Sequence, residues 1–335
     1  MISMIDNATW TVVVSRGQSR NPEKRALEQA IVDAAEKLEG VNVLAIPHLY
    51  DLPKTSESYQ KLSQLEGNLI LCSWIFPRAA HWVLDRNGIQ GQVGEVLLGA
   101  EDEDEEDADA NRDRDSQEAS EMVDRVSELY PRPDRDIYCI DLKTAGDTTS
   151  LVGEILRIVG DSVPEDDRSL PIVGGQITQV DEQASRRWYP VIDFSRCTNC
   201  MECVDFCLFG VYGVDGVENI LVEQPDNCRK GCPACSRVCP ENAIIFPQHK
   251  APAIAGAETE GGEGFKIDLS QLFGAPKDGD DPIAMAARER DEQLLLAGRE
   301  TVGINDQLKK RQSDRVKQPK DQLDRLIDLL DEFDL

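Results

Sequence analysis

The chain has 335 residues, 40% of them apolar, and a formal net charge of −27 from 63 acidic and 36 basic side chains. That length suits two domains with tails, and so negative a surface argues against nucleic acid and anionic membranes as partners. No apolar run approaches the length that crosses a bilayer, so the surface is expected to meet a partner protein with a basic docking face.

The first part reads as alternating strands and helices. Residues 10–15, Trp-Thr-Val-Val-Val-Ser, form a short β-branched run expected to be a buried strand. Asn21 and Pro22 are suited to the N-cap and first position of a helix. In that helix Leu27, Ala30, Ile31, Ala34, Ala35 and Leu38 recur at helical spacing, and Gly40 ends it. Further strands are expected at 41–46, 68–73 and 137–142. Helices are expected at 54–65, 77–86 and 148–159. Such alternation implies an α/β domain over 8–160 with a parallel, doubly wound sheet. Residues 100–117 are dominated by like charges and read as a disordered acidic insert. The stretch 118–129 returns to helical spacing. A linker is expected over 161–187, where Pro164, Pro171 and Gly174-Gly175 cluster.

Eight of the ten cysteines fall in two runs. The first is Cys197-x-x-Cys200-x-x-Cys203-x-x-x-Cys207. The second is Cys228-x-x-x-Cys232-x-x-Cys235-x-x-x-Cys239-Pro240. This is the ligand pattern of two [4Fe–4S] clusters. Three thiolates at x-x intervals let a tight loop wrap one cluster, while the fourth starts away and reaches the other. One set is then Cys197, Cys200, Cys203 and Cys239, and the other is Cys207, Cys228, Cys232 and Cys235. Structural zinc, which prefers two separated Cys-x-x-Cys or Cys/His pairs, and disulfides, which suit small secreted domains, are the competing readings. No residue is assigned a catalytic role.

On these runs the chain resembles bacterial-type 2[4Fe–4S] ferredoxins over 188–247. The resemblance implies a small α+β domain ordered strand, helix, strand, strand, helix, strand, and an electron-transfer function. Two departures stand out. Arg229-Lys230-Gly231 is one residue longer than the usual spacing, and Leu208 follows Cys207 where the family has proline. The first departure leaves open a second cluster that lacks Cys228 and is labile or three-iron. A flexible linker is expected over 248–281, and a helical acidic tail over 282–335. In that tail Leu323, Leu326, Ile327, Leu329, Leu330 and Phe333 form a stripe suited to packing or docking.

In open α/β sheets ligands bind beyond the carboxyl ends of the strands. The loop Ser15-Arg16-Gly17-Gln18-Ser19-Arg20 and the stretch from Cys72 to His81 occupy such places, and Cys72 and His81 are expected to share a crevice. On these residues the N-terminal part resembles class II sirohydrochlorin-type chelatases. Arg16 or Gln18 stands where that family has its first histidine, so the resemblance implies a scaffold without chelatase activity. Residues 71–88 also echo the N-terminal region of heterodisulfide reductase flavoprotein subunits. Three functions follow. The first is an iron–sulfur electron carrier in the cytoplasm, where a reducing milieu protects its clusters. The second is an α/β enzyme that takes electrons from the clusters. The third is a structural subunit of a larger redox complex.

Overall fold

The computed structural model describes residues 10–38, 40–98, 125–129, 132–144, 148–161, 177–257 and 282–302. Those up to 257 belong to one compact unit. Residues 282–302 belong to a second, whose helix is Pro282–Leu296. The acidic insert, residues 118–124 and the apolar stripe after 320 lie outside the described residues.

Strands β1 (Trp10–Ser15), β2 (Val41–Ile46), β3 (Asn68–Ser73), β4 (Gln92–Val93), β5 (Asp136–Asp141) and β6 (Ile177–Gln179) form one sheet. Its order is β4-β5-β3-β1-β2-β6 and every pairing is parallel. The helices are α1 (Pro22–Ala35), α2 (Glu57–Ser63), α3 (Pro77–Arg86), α4 (Val126–Leu129) and α5 (Thr148–Asp161). The Asn21 side chain caps α1 by accepting from the Glu23 N–H, and Ser56 caps α2 by accepting from Tyr59. These caps satisfy amides that have no intrahelical partner.

Alternation along the pleat divides the core into two layers. Val13, Leu44, Leu69 and Leu71 face α2 and α3. Val12, Val14, Val43, Ile70 and Cys72 face α1 and α5. Cys72 and His81 therefore do not share a crevice: Cys72 packs in the α1/α5 layer, whereas His81 is buried on α3. Burial pushes the Cys72 thiol up to about 12, as befits a small apolar core residue. The sixth strand also differs from expectation, because Ile177–Gln179 lies inside the stretch read as a linker and pairs with β2.

The chain continues with β7 (Val191–Ile192), α6 (Glu202–Phe206), β8 (Tyr212–Val214), β9 (Ile220–Val222), α7 (Ala234–Val238) and β10 (Ile244–Ile245). β7 pairs antiparallel with β10, and β8 with β9. A short α8 (Pro252–Ala255) follows, and the Phe246 N–H donates to the Ile254 carbonyl to fold it back. Gly256 is in a left-handed conformation, φ +100°, and an added Cβ there would lie 2.9 Å from the Ala79 Cβ.

Helix α3 is the element shared by sheet and cysteine region. Tyr189, Val191 and Ile245 belong to the same buried cluster as Leu69, Leu71 and the α3 residues Ala79, Ala80 and Val83. His81 sits in this seam, edge-on to Trp82 at 5.3 Å. Burial, reinforced by Arg132, lowers its pKa to about 4. The folded state therefore holds His81 neutral down to that pH, while the unfolded chain binds a proton below about 6.5. Stability is expected to fall as pH drops from about 6.5 to about 4, with His81 contributing up to about 3 kcal/mol. Urea midpoints across that range should flatten in His81→Leu, and an unchanged slope would rule His81 out as the source.

Candidate metal centre

Each cysteine run threads a loop and then a short helix. In the first loop Asn199 and Met201 take left-handed φ of +59° and +65°. That is rare for residues with a Cβ and persists only where the surroundings fix it. Here the Asn199 amide donates to the Glu218 carbonyl at 2.7 Å and accepts from the Ile220 N–H at 2.9 Å, tying the loop to the β8–β9 hairpin. In the second loop Gly231, at φ +88°, absorbs the additional residue of Arg229-Lys230-Gly231. Cys207 and Cys239 stand at the C-caps of α6 and α7, so each leaves its own loop.

The sulfur environments sort the eight cysteines into two neighbourhoods. Burial raises the Cys203 thiol above its usual range, with Cys239, Cys197 and Cys200 adding to it. Burial also raises Cys197, and Cys239 and Cys200 contribute. In the second neighbourhood burial raises Cys235, and Cys228, Cys232 and Cys207 contribute. Cys228 rises through burial, with Cys232 and Cys207 acting on it. Thus Cys239 lies with the first run and Cys207 with the second. Among the described residues no three His, Cys, Asp or Glu side chains close on a point as around a single ion. A four-iron cubane holds its thiolates farther apart than one tetrahedral ion does. The donor set fits such a group, because soft thiolates are what iron–sulfur clusters take and α6 and α7 hand one cysteine across from each run. Raised thiol pKa values mean that cluster binding displaces protons.

The α/β part supports both neighbourhoods. On the first side, Arg78 Nε meets Asp193 Oδ2 at 2.5 Å and its Nη2 donates to the Asn242 carbonyl at 2.6 Å. Asp193 is 1% exposed and also accepts from the Ser195 N–H at 2.9 Å. Helix α4 lies on the same loop: the Val126 N–H donates to the Cys197 carbonyl and that of Ser127 to Phe194, both at 3.0 Å. Arg125 donates to the Arg196 carbonyl and to Glu241.

On the second side, Tyr50 stacks on Tyr189 at 4.2 Å. The Tyr50 hydroxyl accepts from the Tyr189 N–H at 2.6 Å, and the Tyr189 hydroxyl donates to the Tyr50 carbonyl at 2.9 Å. The guanidiniums of Arg86 and Arg187 lie over the Tyr189 ring. Trp188 donates to the Cys232 carbonyl at 3.2 Å and stacks on Phe246. Asp51, fully buried, gathers the seam: it accepts from the Arg187 N–H, from Gln248 and from Gln18, and lies 2.9 Å from His48 Nδ1. Sequence spacing offered no sign of Asp51, because its partners lie up to 197 residues away.

The loop after β1 is closed. The Glu28 carboxylate accepts from the Gly17 N–H and from the Trp74 indole, both at 2.7 Å, and pairs with Arg25. A carboxylate thus occupies the place where an anion would meet those amides. Arg16 faces Asp181 at 3.8 Å.

No protein-family model matches the chain, and no solved structure matches it. A 66-residue stretch is 48% identical to an uncharacterized ferredoxin of Methanocaldococcus jannaschii, covering 19% of this chain and 44% of that protein. That stretch of the chain is therefore similar to part of a ferredoxin. The match spans less than half the length of that relative. No comparison supports the likeness to chelatases, and the Glu28-filled loop and buried His81 offer it nothing.

Within the cysteine-rich segment, donors point at sulfur, among them the Ala243 N–H at 3.3 Å from Cys239 and the Tyr212 hydroxyl at 3.0 Å from Cys235. A donor to a cluster thiolate favours the more negative, reduced state and raises the potential. Tyr212→Phe is therefore expected to lower the potential of the Cys235 group by about 40–60 mV, the equivalent of one hydrogen bond of about 1 kcal/mol. An EPR-monitored redox titration measures it, and an unshifted potential would remove Tyr212 from the tuning set.

Proposed function

We propose that the chain is an iron–sulfur electron-transfer protein carrying two [4Fe–4S] clusters, which passes single electrons to or within a partner redox enzyme. Cys197, Cys200, Cys203 and Cys239 would hold one cluster, and Cys207, Cys228, Cys232 and Cys235 the other. When bound, the clusters supply one-electron redox chemistry at potentials within roughly −700 to +450 mV. The chain's own residues fix the thiols, exclude water from them and tune them by hydrogen bonds and charge. The observation that carries this reading is the exchange of Cys207 and Cys239 between the two thiol neighbourhoods. The matched ferredoxin segment supports it.

The acidic surface, at a formal −27, favours a donor or acceptor with a basic face. Among the described residues no helix is long and apolar enough to cross a membrane. Anaerobic purification with iron and acid-labile sulfide determination tests the reading directly. About eight of each per chain is expected, with EPR of the dithionite-reduced protein showing interaction between two centres. Zinc in place of iron, without sulfide, would end it.

A further inference from the structure

The cysteine-rich segment presents opposite charges near its two thiol neighbourhoods. By the first, Asp205, Asp215 and Glu218 are exposed, the last two in the hairpin that Asn199 binds. In the second loop, Arg229, Lys230 and Gly231 are all exposed, directly between Cys228 and Cys232, and the exposed Asp226 just before Cys228 is paired with Arg187 at 2.7 Å. The spare residue of that loop is what brings the basic pair out: Gly231 turns left-handed and the Cys232 N–H closes on the Arg229 carbonyl at 3.0 Å. Among the described residues neither cation pairs with a carboxylate; the Arg229 guanidinium lies over the Phe209 ring at 5.8 Å. On the side facing the sheet the second neighbourhood is covered. Cys228 packs against the α2/α3 core, and Tyr50 and Trp188 close in from the seam. Two cations without a carboxylate partner among the described residues, on the open side of a thiol group in a chain of net charge −27, form a local inversion of the surface field.

We propose that Arg229 and Lys230 form an electron port for an acidic protein face, separate from the acidic surface that suits a basic partner. This rests on the electron-transfer reading, and it gives the chain two electrostatically distinct ends for two different partners. The step through the port is outer-sphere: one electron leaves the reduced protein, the acceptor gains it, and no bond or proton moves.

The test uses full-length, cluster-loaded protein reduced by dithionite and freed of excess reductant, with two small probes. Hexacyanoferrate(III), an anion, becomes hexacyanoferrate(II); hexaammineruthenium(III), a cation, becomes its ruthenium(II) form. For the wild type, the rate with hexacyanoferrate(III) is expected to fall as salt screens the basic port. A rate that rises with salt, as the global charge alone dictates, overturns the proposal and needs no variant. In R229Q/K230Q the anionic-to-cationic rate ratio is expected to drop at least about threefold at low ionic strength. Driving force leaves the ratio nearly unchanged, because removing two cations lowers the potential and speeds oxidation by both probes alike. An unchanged ratio, with midpoint potentials measured alongside, overturns the port. Protein that carries no iron or sulfide would fail the electron-transfer reading first, so the two failures are distinguishable.

Discussion

Replacing Arg78 by methionine is expected to cost the fold about 3 kcal/mol and, on the two-cluster proposal, to release the group held by Cys197, Cys200, Cys203 and Cys239, leaving about half the iron after anaerobic gel filtration. The pair it breaks is buried on both sides, with Arg78 and Asp193 side chains 6% and 1% exposed. Removing one partner of such a pair strands the other charge without water, which typically costs about 3–5 kcal/mol. Arg196, 3.6 Å from the same carboxylate and partly exposed, offsets some of this and sets the lower figure. The location converts lost stability into lost metal. Asp193 directly precedes the first cysteine loop, and Asn242, whose carbonyl Arg78 also holds, follows Cys239. One guanidinium therefore clamps both chain segments that bring the first four thiols together. Arg78→Lys keeps the charge but loses the fork, and should fall between wild type and methionine. Asp193→Asn added to Arg78→Met should recover part of the loss, since the stranded charge is its main source. Urea unfolding under anaerobic conditions measures all four proteins. A methionine variant within about 0.5 kcal/mol of wild type would refute the clamp.

Much of this architecture is legible in the sequence because it is local. The largely apolar runs at Trp10–Ser15, Val41–Ile46 and Asn68–Ser73 are strands over the expected bounds, since apolar runs suit strands buried on both faces. The order of elements around the cysteines also follows expectation, because loop, helix and turn are each written within a few residues. What escapes local reading has two causes. Short edge strands carry no periodicity: Gln92–Val93 has two residues, Ile177–Gln179 has three, and Val93 and Ile177 stay exposed. Nothing in such a stretch separates a strand from a linker. Long-range pairing leaves no trace in spacing either. Arg78 and Asp193 are 115 residues apart, and Tyr50 and Tyr189 are 139 apart. Each reads as an ordinary surface or core residue until the two parts of the chain meet. His81 illustrates the same limit. Proximity to Cys72 in sequence suggested a shared crevice, but the strand's pleat sends Cys72 to one side while α3 carries His81 on the other.

The exchange of cysteines between the runs predicts a pattern of non-additive losses. Cys239→Ser is expected to remove about four irons, and they should be those of the first neighbourhood although Cys239 lies in the second run. The basis is that Cys239 acts on Cys203 and Cys197, whereas Cys235 and Cys228 feel Cys207 and Cys232. Two substitutions within one set destroy the same group once, whereas substitutions in different sets destroy both. The double variant Cys197→Ser/Cys239→Ser should thus retain as much iron as Cys197→Ser alone, about four per chain. Cys197→Ser/Cys228→Ser should retain almost none, and the same holds if Cys207→Ser replaces Cys228→Ser. If ligation instead followed sequence order, Cys197→Ser/Cys207→Ser would be the pair that keeps four irons and Cys197→Ser/Cys239→Ser the pair that loses all. Iron and sulfide analysis of these doubles decides between the two. The variants lacking both groups are also expected to lose order in the two cysteine loops, because the binding free energy of the groups is folding free energy for the loops that hold them. The six-stranded sheet, with its two buried layers, should still melt cooperatively in those variants, which far-ultraviolet circular dichroism would register.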